Sequence, residues 1–356
     1  MSEVTVKDIH YTGIRSASSP RSLRAARMKE QNELLKLRNR MPVLEWNRAV
    51  NQMHDEVMNR AVYLSEMMME AEGFGQPPTS YAFVVFGSAG RSEQTLWSDQ
   101  DNGLIIGDSG GRDLAPYFDV FAERLVRILE KSGYPPCPGQ VMAINPMWRK
   151  DIAGWRQQLQ GWRNSLQWEA VRYLTIASDL RHIAGDAMLS AAWSDHFLRI
   201  MEQSDELTAG LLRNTVRHKA GLNVLGQVIT ESFGEHAGSF DMKYGLYMPL
   251  VNGIRCMALQ YGLRETSTLD RLQKLIQLEA VSGIEACQSS FVTALQLRSM
   301  TSWVKEDGMI EGSSYLSPTI MRQRETLRLL RGSLGNIKML YRTLQRQHRF
   351  WERKRK

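Results

Sequence analysis

The sequence predicts an α+β protein, in which a small mixed β-sheet is followed by an all-helical bundle. Three observations support this fold class. Residues 81–86 form an apolar run typical of a buried strand, which stops at Gly87-Ser88. Residues 99–106 form a second segment of strand length. After Pro146, apolar residues recur every three or four positions, which is the period of packed helices.

The N-terminal region is predicted to be basic and mostly helical. Residues 1–17 show no periodicity and are expected to be loosely ordered. Residues 21–40 have the composition of a charged surface helix, which Pro42 interrupts. From residue 44 onward, an apolar stripe at steps of three and four predicts a long amphipathic helix.

The mixed sheet is predicted between residues 81 and 145. The first strand is followed by a short helical segment at 88–93, and the second strand leads into a helix at 113–131. Three prolines then break the chain before a short third strand at 141–145. In such a sheet the ligand is expected at the strand ends.

The rest of the chain is predicted to form a helical bundle, and the last helix has the clearest apolar stripe. The predicted helices span residues 152–165, 169–184, 195–201, 207–231, 247–261, 267–278, 284–303 and 317–347. We therefore expect three regions: a basic extension at 1–40, an α/β domain with its leading helix at 41–185, and a helical domain at 186–356.

The charge pattern argues against a nucleic-acid-binding protein. The net charge is +7, but residues 15–40 hold eight basic and two acidic side chains, and residues 342–356 hold seven and one. The rest of the chain is therefore mildly acidic. Basic ends are more often solvated helix faces than binding surfaces, and acidic proteins or membrane surfaces compete with nucleic acid as partners.

Cysteine usage and hydropathy predict a cytoplasmic protein. Cys137, Cys256 and Cys287 are far apart and lack the spacing of a zinc site or a disulfide framework. No apolar run approaches the roughly 20 residues that span a bilayer, and no secretory signal pattern is present. We expect no membrane span.

Asp99 and Asp101 are the candidate metal ligands. Because side chains of an extended segment alternate, both carboxylates are expected on one face while Gln100 points away. They would face the Gly87-Ser88 turn, whose backbone N–H groups can meet a phosphate. This pattern is suited to hold Mg²⁺ against a nucleoside triphosphate. An Asp-x-Asp pair alone is usually a solvated turn, so the prediction depends on its spacing from the glycine-serine turn.

Five motifs of this chain resemble those of a known family. They read GSAGRSEQTL at 87–96, SDQDN at 98–102, CPG at 137–139, DLR at 179–181 and DMK at 241–243. They resemble the nucleotidyltransferases related to the N-terminal domain of PII-protein uridylyltransferase, which often follow CBS or cyclic-nucleotide-binding modules in bacterial signalling proteins. The resemblance covers nearly everything after residue 40. It implies a polymerase-beta-like nucleotidyltransferase domain followed by a helical substrate-binding domain.

The resemblance also implies roles for the motif residues. Gly87 and Ser88 resemble the turn that cradles the triphosphate, and Asp99 and Asp101 resemble the ligands of Mg²⁺ or Mn²⁺. Three further residues are expected to support the nucleotide. Arg91 has a planar donor fork that suits a phosphate, Glu93 can orient Arg91, and Asn102 can hold the carboxylates' loop. Arg91 and Glu93 could instead pair simply as a structural bridge.

Two departures from the family pattern bear on activity. Nucleotidyltransferases generally carry a third carboxylate on a later strand, often the base that takes the acceptor's proton, and residues 141–145 contain none. Asn145 cannot accept a proton, and Asp179, the nearest acid in a later motif, is expected on a helix and paired with Arg181. The second departure is Gln100, which is polar where many relatives are apolar.

Several residues are candidate substrate contacts, although scattered basic residues on helices are mostly solvated. They are Asn145, Asp179, Arg181, Lys243, Arg255, and Arg217 with His218. The seven histidines lack ligand spacing, which argues against zinc or a metal-dependent phosphohydrolase.

The leading hypothesis is transfer of a uridylyl or adenylyl group from an NTP to a hydroxyl of a protein or small molecule. The alternative is a catalytically silent nucleotide-binding regulator in signalling. A third hypothesis, nucleic-acid modification, rests only on the basic ends. The residues ahead of the motif are too few for a sensor module, so a separate regulatory protein is an expected partner.

Overall fold

The computed structural model describes residues 9–108, 110–201, 205–216, 221–223, 226–306 and 308–354. The chain divides into two compact units. The first unit comprises Met1–Gly161, Ile176–Ile200 and Lys305–Glu311, and the second comprises Trp162–Thr175, Met201–Val304 and Gly312–Lys356. The domain boundaries drawn from the sequence stay a prediction. The predicted fold class, a small mixed sheet with a helical C-terminal region, is confirmed.

The N-terminal residues are more ordered than the sequence predicts. Helix α1 spans Thr12–Arg15 and helix α2 spans Pro20–Leu37. The side chains of Tyr11 and Ile14 are fully buried, and the Tyr11 hydroxyl donates to the carbonyl of Ala49, 2.7 Å away. The expectation of loose order over residues 9–17 is therefore wrong, because a four-residue helix is too short to show a period.

Helix α3 spans Val43–Ala71 and follows the predicted amphipathic stripe. Helix α2 begins at a capping box, in which the Ser19 hydroxyl accepts from the amide of Ser22 and Pro20 occupies the first helical position. The apolar side of α3 includes Trp46, which is buried and donates its indole N–H to the carbonyl of Leu34. The two helices are thus fixed to each other by packing and by a buried hydrogen bond.

The sheet of the first unit has the strand order β3-β2-β1-β4. The strands are β1 (Tyr81–Val85), β2 (Asn102–Ile106), β3 (Arg149–Asp151) and β4 (Arg181–Gly185). β1 is antiparallel to both β2 and β4, whereas β3 lies parallel to β2. Helices α4 (Gly87–Gly90) and α5 (Ala115–Lys131) fill the connections after β1 and β2. The functional motif therefore connects the two central strands.

Both central strands are fully buried because aromatic residues cover the sheet on two sides. The ring of Tyr81 packs edge-on against Phe118 and Phe121 of α5. Phe86 is an odd number of residues from Tyr81, so its side chain lies on the other face of the sheet. It packs there against Trp148, with ring centroids 4.9 Å apart. This two-sided cover explains why residues 81–86 form a continuous apolar run and not an alternating one.

The predicted third strand at 141–145 is wrong. These residues form turns, in which the amide of Asn145 bonds the carbonyl of Met142, and the Asn145 side chain caps a 3₁₀ turn at Pro146–Trp148. The strand beside β2 is β3, which begins at Arg149, directly after the 3₁₀ turn. The apolar segment 141–143 is a buried loop. A short apolar run occurs in buried strands as well, which explains the wrong prediction.

The second correction concerns the helix predicted over 169–184. Helix α7 ends at Ala177, and β4 follows it. Pairing with β1 outweighs the helical propensity of this segment, since the end of β4 approaches Tyr81 so closely that a Cβ on Gly185 would lie 2.2 Å from its carbonyl oxygen. Gly185 also has a φ of +82°, which favours glycine.

The remaining elements are mostly helices, as predicted, but the helix predicted over 207–231 is wrong beyond Thr215, because Leu222 and Val228 pair in an isolated bridge instead. They are α6 (Ile152–Ser165), α7 (Trp168–Ala177), α8 (Ala187–Ile200), α9 (Asp205–Thr215), α10 (Met248–Gln260), α11 (Thr268–Gln277), α12 (Glu285–Ser299), α13 (Pro318–Met321) and α14 (Arg324–Lys354), with a π-helical turn at Lys243–Tyr247. Two short strand pairs were not predicted: β5 (Phe240–Asp241) with β8 (Tyr315–Leu316), and β6 (Trp303–Glu306) with β7 (Met309–Gly312).

The core of the second unit lies between α10 and α14. Leu330, Leu334 and Leu344 of the predicted stripe are buried. A Cβ on Gly253 would lie 2.7 Å from a methyl group of Leu340, so the two helices approach closely at this glycine. Among the helices of the described residues, none is both long and apolar enough to cross a membrane.

Replacing Tyr11 tests the order of the N-terminal segment. We expect Tyr11→Phe to lower the free energy of unfolding by about 1 kcal/mol, because only the buried hydrogen bond is lost. Tyr11→Ala should lower it by about 3 kcal/mol, because a cavity forms as well. His10→Ala, at the exposed neighbouring position, is the control. Urea denaturation measures all three, and equal stability of Tyr11→Ala and the control would contradict the packing described.

Candidate functional site

The glycine-serine turn follows the end of β1. Phe86 is extended, and Gly87 then turns the chain with a φ of +56° into α4. Phe86, Ala89 and Gly90 are buried, whereas Gly87 and Ser88 are partly exposed. The first N–H groups of such a helical turn have no acceptor within it. The turn therefore presents the backbone of Gly87 and the hydroxyl of Ser88 to a ligand.

The carboxylate of Asp101 lies directly against this turn. A Cβ on Gly87 would be only 2.4 Å from Asp101 Oδ2, a distance that no real side chain could accept. The amide of Phe86 donates to the carbonyl of Asp101 at 2.9 Å and continues the pairing of β1 with β2 by one residue. Asp101 is therefore held by the sheet register, and glycine is required at residue 87.

Residues 98–102 alternate in exposure, as the sequence predicts for an extended segment. Asp99 and Asp101 are partly exposed, whereas Ser98, Gln100 and Asn102 are buried. The side-chain amide of Gln100 donates to the carbonyls of Tyr134 and Val126, at 2.9 and 3.2 Å. The two acids thus share one face, and Gln100 fixes the segment from the other side. Both acids precede β2, which begins only at Asn102.

Burial and charge repulsion act together on Asp101. Burial, followed by repulsion from Asp99, raises the pKa of Asp101 to about 7. The Cys137 thiol and the Arg91 guanidinium oppose this rise, and Asp179 adds to it weakly. Burial of Cys137, and then the charge of the Asp101 carboxylate, raise the pKa of Cys137 to about 12. Cys137 therefore remains a thiol that donates to Asp101.

The two carboxylates fit a divalent cation. Their oxygens are ligands that Mg²⁺ prefers, and a cation between them would relieve the repulsion that raises the pKa of Asp101. In the described ranges, no group of three His, Cys, Asp or Glu side chains could hold a metal ion. The remaining ligands would have to be phosphate oxygens and water, as is usual for Mg²⁺ at a nucleotide.

A buried ionic cluster lies behind the turn. Arg91 donates through Nε to Glu93 at 2.9 Å and through Nη1 to Asp179 at 2.6 Å, and all three side chains are buried. The bridge between Arg91 and Glu93 that the sequence allowed is thus present. Because removing one member of a buried ion pair leaves a charge uncompensated, the cluster fixes the geometry of the turn strongly. Phosphate binding by Arg91 stays a prediction.

The expected pairing of Asp179 with Arg181 is wrong. Asp179 lies in the turn between α7 and β4, and its partner is Arg91. Arg181 instead forms a two-pronged ion pair with Asp55 of α3, at 2.7 and 2.9 Å, and also donates to the carbonyl of Ala89. One residue of this segment thus holds Arg91, and the other ties the end of α4 to α3.

Three buried side chains hold the loop that leads to the acids. Asn51 bonds both backbone groups of Gln94, the His54 imidazole bonds the carbonyl of Thr95, and Gln31 donates to the carbonyl of Leu96. These residues were missed from the sequence. The available signal was the presence of Asn51 and His54 within the apolar stripe of α3, where a polar residue must find a buried partner.

His54 is held as a neutral side chain. Burial, and then the charge of Arg27, lower the pKa of His54 to about 3. Its Nε2 lies 2.7 Å from the Thr95 carbonyl and its Nδ1 lies 2.7 Å from the Tyr134 hydroxyl. Since a carbonyl can only accept, Nε2 carries the proton and Tyr134 donates to Nδ1. Residues 94–98, which lead to Asp99 and are called the acid loop below, are thus held here by a neutral group.

Asn102 joins the acid segment to the loop at 135–143. Its side-chain oxygen accepts from the amide of Ala143, and its own amide donates to the carbonyl of Val141. The amide of Gln100 likewise donates to the carbonyl of Pro135. The predicted role of Asn102 in holding the carboxylates' loop stays a prediction.

Among the described residues no third acid forms a metal site with the pair, although the charge of Asp179 reaches Asp101. Asp151 is the one acid of β3, but it pairs with Ile106 at the far end of β2 and accepts from the amide of Gly154 at the start of α6. Asn145 caps the 3₁₀ turn that precedes β3. Asp179 is fully buried and bonded to Arg91.

The candidate residues of the helical domain belong to the second unit. Lys243 is exposed, with its ammonium group 5.5 Å from the ring centroid of Tyr244. Arg255 is buried and donates to the side chain of Asn252 at 2.7 Å. Arg217 and His218 lie outside the described residues. Substrate contacts by these residues stay predictions.

Two family models match the chain. A model described as "Putative nucleotidyltransferase DUF294" matches residues 30–168, which include the turn, both acids and β3. A model described as "Putative nucleotidyltransferase substrate binding domain" matches residues 205–348. No curated protein matches the chain.

The close approach behind the turn can be tested at Gly90. A Cβ there would lie 1.8 Å from the carbonyl oxygen of Asp179, so we expect Gly90→Ala to lower the free energy of unfolding by about 3 kcal/mol. Gly161→Ala in α6 is the matched control, because nothing lies within 4 Å of the added methyl group. It should gain up to about 1 kcal/mol from helix propensity. Thermal unfolding compares the two, and a neutral Gly90→Ala would contradict the geometry.

The raised pKa of Asp101 predicts a pH-dependent effect of Asp101→Asn. The folded protein binds a proton at Asp101 up to about pH 7, whereas the unfolded chain loses it near pH 4, so the wild type loses stability as the pH rises through this window. We expect Asp101→Asn to raise the free energy of unfolding by about 1–2 kcal/mol at pH 8 and by little at pH 4.

Denaturation in the presence of a chelator measures this difference at each pH. Asp99→Asn should reduce the pH dependence of the wild type without abolishing it, because burial is the larger cause of the shift. An Asp101→Asn effect of equal size at pH 4 and pH 8 would show that ionisation of Asp101 does not destabilise the folded protein.

Proposed function

We propose that this chain, which belongs to the DUF294 family of putative nucleotidyltransferases, transfers a nucleoside monophosphate from an NTP to the hydroxyl group of an acceptor. The observation that carries the proposal is the approach of the Asp101 carboxylate to the backbone of Gly87, with Asp99 on the same face. The match of residues 205–348 supports a second substrate that the helical domain binds.

In this proposal each exposed group of the site has one task. Asp99 and Asp101 hold Mg²⁺ or Mn²⁺, and the backbone of Gly87 with the hydroxyl of Ser88 donates to the triphosphate. The bound cation would neutralise phosphate charge in the transition state. Arg91, which is buried and bonded to two carboxylates, would then support the turn from behind more readily than it would reach the phosphate itself.

The proposed reaction is a single displacement. The acceptor oxygen attacks the α-phosphorus in line, the bond from this phosphorus to the bridging oxygen breaks, and pyrophosphate leaves. The hydroxyl proton passes to solvent, because Asp179, a further carboxylate whose charge reaches the pair, is buried and bonded to Arg91. The protein therefore contributes mainly positioning and charge neutralisation, which supply most of the rate in reactions of this class.

The finer features of the proposal come from family resemblance. We propose that the transferred group is uridylyl or adenylyl and that the acceptor is a protein or a small molecule, by analogy with PII-protein uridylyltransferase. A cytoplasmic location and control by a separate regulatory protein in a signalling system complete this proposal.

One observation favours a second candidate function. The acid expected on a third strand is replaced near the pair by the Cys137 thiol, which donates a hydrogen bond and takes no proton. A site with two carboxylates and no base could bind a nucleotide without transferring it. The alternative is therefore a catalytically silent nucleotide-binding regulator.

Labelled NTPs separate the two functions. We expect the purified chain, incubated with each NTP, Mg²⁺ and cell lysate, to transfer label to an acceptor and to release pyrophosphate. Asp99→Asn and Asp101→Asn should each lower this rate by about a thousandfold, because charge neutralisation at the phosphates is worth several kcal/mol.

Asp151→Asn is the matched control, since it changes an acid of the same sheet at the opposite end of β2 and keeps an oxygen that can cap α6. It should transfer label like the wild type. Nucleotide binding that depends on both acids, without transfer to any acceptor, would favour the regulator. Transfer that survives both substitutions would refute the proposed site.

A further inference from the structure

Residues 305–311 belong to the second matched region by sequence but to the first compact unit by structure. They lie within the sequence that the substrate-binding-domain model matches, at 205–348, yet they belong to the first compact unit. They include the end of β6 and the start of β7, which pair as a two-stranded sheet, called the hairpin below. The chain therefore returns from the second unit to the nucleotidyltransferase unit for these few residues.

The tip of this hairpin is anchored on α2 and on the end of α5. Met309 and Ile310 are buried. The Lys305 ammonium donates to the side chain of Asn32 at 2.7 Å, and the methyl group of Met309 would lie 2.6 Å from a Cβ on Gly133. Such close and partly apolar contacts are those of a fixed element of the unit.

One residue of α2 joins the hairpin to the acid loop. Gln31 is fully buried, and its Nε2 donates to the carbonyl of Leu96 at 2.6 Å while its Oε1 accepts from the amide of Ile310 at 3.3 Å. The orientation of this amide is defined by its partners, since a carbonyl can only accept and an amide N–H can only donate. Either partner alone would leave one polar end of Gln31 buried and unsatisfied.

We propose that Gln31 is a positioning residue for Asp99 and Asp101, and that the amide of Ile310 in this hairpin holds it in place. Leu96 is three residues from Asp99, and the carbonyls of Gln94 and Thr95 are already fixed by α3. The Gln31 bond is therefore the last one made by the helices to the loop before the acids. Sequence from the substrate-binding region thus completes the nucleotide site of the first unit.

Hydrogen exchange tests the proposal in the full chain without any ligand. Gln31→Met keeps the shape of the side chain and removes both bonds, and we expect amides at residues 94–102 to exchange about tenfold faster. Met309→Ala, which removes a hairpin side chain packed against Gly133, should speed the same amides by a smaller factor. Both variants are compared well below their unfolding temperatures, which thermal unfolding defines.

Asn32→Ala is the matched control. Asn32 adjoins Gln31 and accepts from Lys305 of the same hairpin, but its own side-chain amide donates to the carbonyl of Met28 and not to the loop. It should leave exchange at 94–102 unchanged. If Gln31→Met also left these amides unchanged, or if Met309→Ala affected only the hairpin, the proposal would be wrong.

The consequence for catalysis rests on the proposed function, and a second readout keeps the two apart. Mn²⁺ titration followed by electron paramagnetic resonance should show weaker binding in Gln31→Met and Met309→Ala than in wild type. Failure of the wild type to bind Mn²⁺ would count against the proposed function alone. Faster exchange with unchanged Mn²⁺ affinity would show that the loop is held but that the acids do not depend on it, which overturns the positioning role.

Discussion

The site depends on the close approach of the Asp101 carboxylate to the backbone of Gly87. This approach follows from the pairing of β1 with β2, since Val85 lies opposite Asn102 and the residues just beyond each strand end must meet. A side chain at residue 87 would occupy the position of the carboxylate oxygen. The sheet register, the glycine and the acid are therefore one constraint, and none of them could change alone.

The groups that hold the site are sorted by charge. Ionic partners lie behind the turn, where Arg91 joins Glu93 to Asp179 and Arg181 joins Asp55. The acid loop is held by neutral amides and by a neutral imidazole. A cation placed beside the acids would compete with a metal ion for their carboxylates, whereas these neutral donors bind backbone carbonyls.

Sequence periodicity predicted the long elements and failed where tertiary pairing decided. The stripes of α3 and α14 were clear because α3 buries one face along its length and α14 buries one from Thr326 to Leu344. β4 and the hairpin of β6 and β7 were missed, since short edge strands are only half-buried and carry no alternation. The buried loop at 141–143 was mistaken for a strand for the opposite reason, because an apolar run reports burial and not the backbone conformation.

The sequence alone determined the family, the fold class and the common face of Asp99 and Asp101, because spacing along the chain fixes which side chains share a face of an extended segment. Only the tertiary structure decided which groups hold them. Gln31, His54 and Asp179 reach the site from segments remote in sequence, and one sequence shows no trace of such pairings. A buried polar residue reveals in sequence that it needs a partner, but the partner is chosen by the packing of the whole unit.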